Sequence, residues 1–417
     1  MNNNPNRPRD YDAVLGGQTP PPVQGAVLGG IEGVKRRLAS PTVEARIAAL
    51  SEALNYGEAG LDLVIEALQD SSLQVQRSAF LILRERLNNK VRQALLDYDP
   101  WQFFTTLDNW KQIQFNPQIG IADPTGSAYV IELQPDCTQH KLFELEKFKA
   151  LLKDPKVHQI EALICKGWHG WYSQNQEKGL SRSITALVDA CDKLTSLKAL
   201  FIGDDVEREY MKSRLPLGDI TPILCAYPEL EVLQMRGDFS ENYEGLNFGA
   251  IRHDCLKTLT IQTANLDNPT ITQITSLALP ALEYLELWFG RDYNQTPDGI
   301  LDSLKPIIFD DSFPNLTYLG LRSSDYSDAI AAALVQSPVI EHLAVLDLSM
   351  GNLTDEGAEA LLNCSAVNQL HTLNIANNCV SSEMIEQLFE LGCWVIADSQ
   401  EELIERGRAS RYYALYE

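Results

Sequence analysis

The chain has 417 residues, 45% of them hydrophobic, and a formal net charge of −23. That is enough apolar material for a large core and more than one domain, while no apolar run reaches the roughly 18–20 residues that span a bilayer. The N-terminus, MNNNPNRPRDYD, lacks the apolar stretch of a signal peptide, so a soluble cytoplasmic protein without a membrane partner is expected.

The charge is uneven. Residues 1–100 hold 11 Lys+Arg and 12 Asp+Glu, a balance of −1, and residues 101–417 hold 23 and 45, a balance of −22. An acidic surface repels phosphate backbones, which argues against nucleic acid and leaves room for a basic protein partner. The eight cysteines include no C-x-x-C pair, so neither a disulfide framework nor a metal cluster is expected.

Residues 1–25 are rich in Asn, Pro, Gln and Gly and predict a mobile segment. Within and just beyond it, Ala13-Val14-Leu15-Gly16-Gly17 recurs as Ala26-Val27-Leu28-Gly29-Gly30. The pair reads either as a docking peptide or as a clasp over the helical array behind it.

A 30-residue period then appears. Ile31, Val34, Leu38, Val43, Ala49 and Leu50 correspond to Leu61, Val64, Leu68, Leu73, Ala79 and Phe80. The apolar spacing within each copy is helical, and Ser40-Pro41 and Asp70-Ser71-Ser72 divide each copy into two helices. Pro41 fits a first helical turn with Ser40 as its cap. Lys90–Leu96 reads as a closing helix. Residues 26–100 resemble the short HEAT-repeat modules of bacterial proteins.

Residues 101–157 form a junction and cap. Trp101, Phe103, Phe104 and Trp110, with Tyr98 just before them, suit packing of the helical block against the next domain. Tyr129–Leu133 reads as an edge strand that caps a repeat array.

From about residue 158 the spacing L-x-x-L-x-L takes over. Its triplets are Ile160/Leu163/Cys165, Leu197/Leu200/Ile202, Leu230/Leu233/Met235, Leu256/Leu259/Ile261, Leu282/Leu285/Leu287, Leu316/Leu319/Leu321, Leu343/Leu346/Leu348 and Leu370/Leu373/Ile375. Each triplet is a short strand with alternate residues in a core, and the 26–37 residues between middle leucines leave room for a helix. In the most regular unit, Leu353 closes the turn and Thr354 opens a helix. The expected fold is an αβ leucine-rich-repeat solenoid of about eight repeats over residues 158–417, behind a short all-α block. A turn Asn belongs three residues after each third apolar position, and only Asn378 supplies it. The stretches ALFIGDDVE, DITPILCAYPELEVLQMRG, LPALEYLELWFG, LAVLDLSMGNLTDEGAEAL and RYYALYE resemble a bacterial family of ribonuclease-inhibitor-like leucine-rich-repeat proteins, relatives of which occur with WGR domains. The resemblance covers roughly residues 115–417 and implies an interaction scaffold with no catalytic residues.

Residues between the buried leucines point away from the core. They are Ile164 and Lys166, Phe201 and Gly203, Gln234 and Arg236, Thr260 and Gln262, Glu286 and Trp288, Gly320 and Arg322, Asp347 and Ser349, Asn374 and Ala376. Arg236, Trp288 and Arg322 are types that anchor interfaces, Phe201 is a further partner-binding candidate in the row, and Glu286 and Asp347 suit pairing with the cations or with a basic partner. The alternative is a solvated face with internal salt bridges. Trp168 and Trp171, in the glycine-flanked loop Gly167–Tyr172, read either as a lip for a ligand or as a cap over the first repeat. The sequence carries no phosphate-binding loop, nucleophile elbow or zinc motif, and Arg252-His253-Asp254-Cys255 is no triad by adjacency alone. A non-enzymatic protein-binding scaffold without cofactor is the expected function. The alternative is a HEAT-type lyase, or a subunit of one, acting on a protein-bound tetrapyrrole.

Overall fold

The computed structural model describes residues 30–84, 86, 89–96, 98, 104–132, 146–166, 184–203, 218–237, 246–263, 265–290, 296–310 and 312–400. The duplicated Ala-Val-Leu-Gly-Gly segment, Trp101, Phe103, Trp168 and Trp171 lie outside them, apart from Gly30. The chain divides into two compact units, Met1–Ala79 and Phe80–Glu417.

The first unit is helical. Helices α1 (Ile31–Leu38), α2 (Val43–Ala53), α3 (Gly57–Glu66) and the start of α4 (Leu73–Arg84) succeed one another, and α1 packs on α2 and α2 on α3. The 30-residue period is visible in burial: Val34 and Val64 are both buried, as are Ala49 and Ala79. The expected cap at Ser40 is not used. The α2 helix starts at Val43, and Ser40 Oγ instead accepts the Thr42 amide at 3.2 Å in a local turn. Proline disfavours the helical conformation in the residue before it and here ends the loop rather than opening the helix. Arg46 and Asp70 join the two copies through a partly buried ion pair of 3.2 Å. Gly60 sits where α3 meets the end of α2, and a Cβ there would lie 1.7 Å from the Ala53 carbonyl oxygen.

The second unit is built on one parallel sheet of eleven strands in strict sequence order. They are β1 (Lys111–Gln114), β2 (Ser127–Glu132), β3 (Ala162–Lys166), β4 (Ala199–Gly203), β5 (Val232–Arg236), β6 (Thr258–Gln262), β7 (Tyr284–Gly290), β8 (Tyr318–Ser324), β9 (Val345–Asp347), β10 (Thr372–Asn374) and β11 (Trp394–Ile396). Before the sheet comes α5 (Asn89–Leu96). Between strands run α6 (Glu146–Leu151), α7 (184–189), α8 (Thr221–Ala226), α9 (Asn268–Thr275), α10 (Pro297–Ile308), α11 (Ser327–Leu334), α12 (Asp355–Leu362) and α13 (Ser382–Leu388). This is a leucine-rich-repeat solenoid. The middle residues of every predicted triplet, Leu163 through Leu373, pair in register from strand to strand, and their side chains join the helices in one continuous core.

The sheet begins well before residue 158 and has more than eight strands. Strand β1 is hidden in the sequence and β2 reads there only as an edge strand outside the repeats, because their core-facing residues, Ile113 and then Tyr129 and Ile131, break the leucine pattern while packing on the same core. Residues 129–132 consequently lie in an interior strand, and β1 is the edge. Strand β11, with Val395 beneath Leu373, ends the sheet on the other side.

The turns after the strands are held by different means. Asn378 is fully buried. Its amide donates to the carbonyls of Leu348, Ile375 and Ala376, and its Oδ1 accepts the Leu353 amide at 2.9 Å. One repeat earlier the same task falls to Ser327, which donates to the Ser324 carbonyl and accepts the Asn352 amide. A Cβ on Gly351 would lie 2.2 Å from that Ser327 hydroxyl. Ser323, Met350 and Asn377 share a left-handed backbone, with φ of 55°, 64° and 55°. Each stands four residues after its middle leucine, so the turn geometry repeats where the side chains do not. Helix α12 starts as predicted, with the Thr354 hydroxyl accepting the Glu356 amide and donating to Asp328.

Two substitutions probe this packing. Asn378→Ala strands the Leu353 amide and three carbonyls and is expected to cost about 2–4 kcal/mol, read from the urea midpoint of the full chain. Gly60→Ala forces α3 away from α2 and is expected to cost about 1–3 kcal/mol, seen as a lowered melting temperature of the helical signal.

Candidate functional site: the open face of the sheet

The period-2 alternation of a strand places one set of residues in the core and the other on the face away from the helices. Strand register sorts that open face into three rows. The first runs Ala128, Ala162, Ala199, Val232, Thr258, Tyr284, Tyr318, Val345 and Thr372. The second runs Val130, Ile164, Phe201, Gln234, Thr260, Glu286, Gly320, Asp347 and Asn374, and the third Glu132, Lys166, Gly203, Arg236, Gln262, Trp288 and Arg322. The first two rows are therefore apolar over β2–β4, and polar side chains take over from Gln234 of β5 onward.

The chain covers part of this face itself. Residues 104–110 cross it as a strap. Phe104 packs edge-on against Tyr284 and Tyr318, with ring centroids 5.4 and 5.7 Å away. The Thr105 carbonyl accepts the Thr258 hydroxyl at 2.6 Å. Leu107 sits in the apolar patch with Ala162, Ile164, Ala199, Phe201 and Val232, and Trp110 packs beside it and donates to Glu161 at 3.3 Å. Thr106 and Asn109 form a reciprocal capping box that fixes the short turn around Leu107. Phe104 and Trp110, expected to pack the helical block against the next domain, lie on the open face of the sheet. An apolar half-sheet needs a cover, and they supply it. At the start of this unit the Phe80 ring lies 5.7 Å from His371 and 6.2 Å from Tyr98.

Beyond the strap lies a polar network. Glu286 and Asp347 are almost fully buried. Arg322 lies between them, with Nη1 3.2 Å from Glu286 Oε1 and Nε 3.6 Å from Asp347 Oδ1. The same guanidinium donates to Ser349 Oγ at 2.9 Å and stacks 4.9 Å above the Trp288 ring. Glu286 also accepts from the Trp288 indole and the Tyr284 hydroxyl, each at 2.5 Å. Asp347 accepts from the Tyr318 hydroxyl at 3.1 Å, from Asn374 at 2.9 Å and from the Ser349 amide. Tyr284 and Tyr318 stack face to face, 3.8 Å apart and 4° from parallel. Burial, reinforced by the carboxylates, pushes both phenols well above the usual tyrosine range, so they stay neutral donors. Burial alone would lower the Arg322 pKa, but Asp347 and Glu286 outweigh it and raise it, so the guanidinium stays charged.

Four predicted site residues therefore come together: Glu286, Trp288, Arg322 and Asp347. They meet as a self-satisfied network in which both carboxylates are answered from within the chain. Trp288 is covered by Arg322 and Met350, so it is no exposed anchor. Phe201 is buried under the strap. Arg236 remains partly exposed, donates to Gln262 Oε1 at 2.7 Å and lies over the Phe201 ring at 6.0 Å. Between the strap and β3–β8 a cavity of about 430 Å³ opens, reached by Lys166, Gln234, Arg236, Gln262 and Arg322. His253 is structural: it is buried, its Nε2 lies 3.0 Å from the Tyr227 carbonyl, and its Nδ1 accepts the Leu256 amide.

Sequence reasoning missed Tyr284, Tyr318 and the strap. The tyrosines had a signal. The residue just before a middle leucine shares the face of those at +1 and +3, so YLEL and YLGL place both tyrosines on the open side. The strap had only its aromatics, and nothing in them names their target.

No family model matches the sequence, and no curated protein matches it. A crystal structure of a Bacteroides fragilis protein is similar, at 28% identity over 60% of this chain and 69% of that one, with a TM-score of 0.52. An internalin of Listeria monocytogenes gives 14% identity over 76% of this chain and 71% of that one, with a TM-score of 0.35. Among the described residues no helix is long and apolar enough to cross a membrane.

Arg322→Ala leaves Glu286 and Asp347 buried without their cation. It is expected to cost about 3–5 kcal/mol in chemical denaturation, with Arg322→Lys recovering only part, because a lysine cannot span both acids and stack on Trp288.

Proposed function

We propose that this protein is a non-enzymatic interaction scaffold in the cytoplasm that binds a protein partner on the uncovered part of its open sheet face. The observation that carries the reading is the division of that face. Its apolar half is closed by the chain's own strap, while Gln234, Arg236, Gln262 and Arg322 reach a cavity beside it. A parallel sheet repeats such positions at about 4.8 Å intervals, which presents a graded row of side chains to a partner. The likeness to the ribonuclease-inhibitor-like bacterial repeat family supports the same reading. The N-terminal helices are read as a HEAT-like module, supported by equivalent buried positions 30 residues apart.

The internal pairing of Glu286 and Asp347 removes them as the reason to expect a basic partner on this face. The residues that reach the cavity from the third row are cationic or neutral, so a partner with acidic or amide side chains fits it better.

Cross-linking of the native complex tests the proposal, because Lys166 lines the cavity. Partner cross-links are expected at this lysine and are expected to fall at least about tenfold in a Gln234→Trp/Arg236→Glu variant, as loss of a charge-assisted contact implies. Partner cross-links confined to the helical side of the sheet, or unchanged in the variant, would sink the assignment.

A further inference from the structure

We infer that the cavity under the strap is a binding site for a small organic anion carrying carboxylate or phosphate groups. The inference goes beyond the partner reading and stands or falls separately from it.

The chemistry of the walls carries the argument. In a chain whose residues 101–417 carry a balance of −22, the third row brings Lys166, Arg236 and Arg322 to one cavity. Strand spacing of about 4.8 Å sets the Cα atoms of Lys166 and Arg236 two strands apart and those of Arg236 and Arg322 three strands apart. These long side chains can close on one molecule from both ends. The intervening third-row residues do not block it. Gly203 has no side chain, and a Cβ there would lie 2.5 Å from the Arg236 carbonyl oxygen. Trp288 lies beneath Arg322. The floor offers Gln234, Thr260 and Gln262, which donate hydrogen bonds without adding negative charge.

Two carboxylates also line the space, and they behave differently. Glu286 is answered by Trp288, Tyr284 and Arg322, so its charge is offset within the network. Asp108 stands exposed on the strap. Arg322 uses three of its five N–H groups among the described residues, one of them on the weak acceptor Met350 Sδ at 3.1 Å. A bound anion replaces that thioether with a stronger acceptor. The distant negative charge of the chain is screened over about 8 Å at physiological salt, and the cavity lining itself sets three cations, Lys166, Arg236 and Arg322, against Asp108 and Glu286. The volume of about 430 Å³ falls within the range of small-molecule sites, roughly 300–1,000 Å³.

Calorimetric titration of the full chain with citrate and, separately, with pyrophosphate tests this. At least one is expected to bind saturably at one site, more tightly than about 1 mM. The tighter of the two assigns the carboxylate or the phosphate class. Arg236→Gln is expected to weaken binding at least about tenfold, and Asp108→Asn to tighten it by removing a like charge from the rim. Both positions are partly or fully exposed, and each variant is checked for unchanged circular dichroism and melting. Absence of saturable binding by either anion would overturn the inference. So would binding that is unchanged in both Arg236→Gln and Lys166→Gln, since the anion would then sit elsewhere.

Discussion

A strand in a helix-backed solenoid has two faces, and its helices satisfy only one. The other must be satisfied by water, by a partner or by the chain itself. In this protein the sequence of the open face is graded, from Ala128, Ala162, Ala199 and Val232 at one end of a row to Tyr284, Tyr318 and Thr372 at the other. Exposing the apolar end would leave a contiguous hydrophobic patch, and burying it is worth about 25 cal/mol per Å². The strap from Phe104 to Trp110 is the chain's answer, and the placement of the cavity depends on where that strap stops.

The polar end is satisfied by other means. Glu286 and Asp347 would be costly alone in the sheet. Their cost is offset because Tyr284, Tyr318, Trp288, Asn374 and Arg322 all aim donors at them. The stacked tyrosine pair links the two solutions. Its ring edges receive Phe104 from the strap, and its hydroxyls feed the carboxylates. Packing and electrostatics thus meet on two residues of adjacent strands.

The repeat core was legible because it is a periodic demand. Every strand needs the same apolar alternation, and leucines at fixed spacing meet it from Leu163 to Leu373. The strands at the ends were less legible: β1 and β11 go unread, and the strand at Tyr129 reads as an edge although it lies inside the sheet. Tyr129 and Ile131 meet the same demand with other residues, and spacing rules tuned to leucine pass over them. On the open face, Glu286, Trp288, Arg322 and Asp347 come together while Arg236 lies apart with Gln262 and Phe201, and the sequence left open whether these residues answer a partner or one another. That choice depends on side-chain direction and on a long-range contact, Phe104 to the tyrosines, and neither has a local signature. The turn Asn378 was legible because its place is fixed by the strand spacing: its side chain bonds backbone of its own turn, at Ile375 and Ala376, and of the turn one repeat before, at Leu348 and Leu353.

The strap also changes how the repeats communicate. In a plain solenoid each unit touches only its neighbours, so stability is local and an end can fray on its own. Here Thr105 bonds to Thr258 across 153 positions of sequence, and one short segment touches strands from β3 to β8. Closing so long a loop is worthwhile only once those strands are already aligned. The segment therefore acts as a late cross-tie. It converts a row of nearest-neighbour contacts into a single cooperative body, and it makes the shape of the cavity a report on whether the middle of the array is intact.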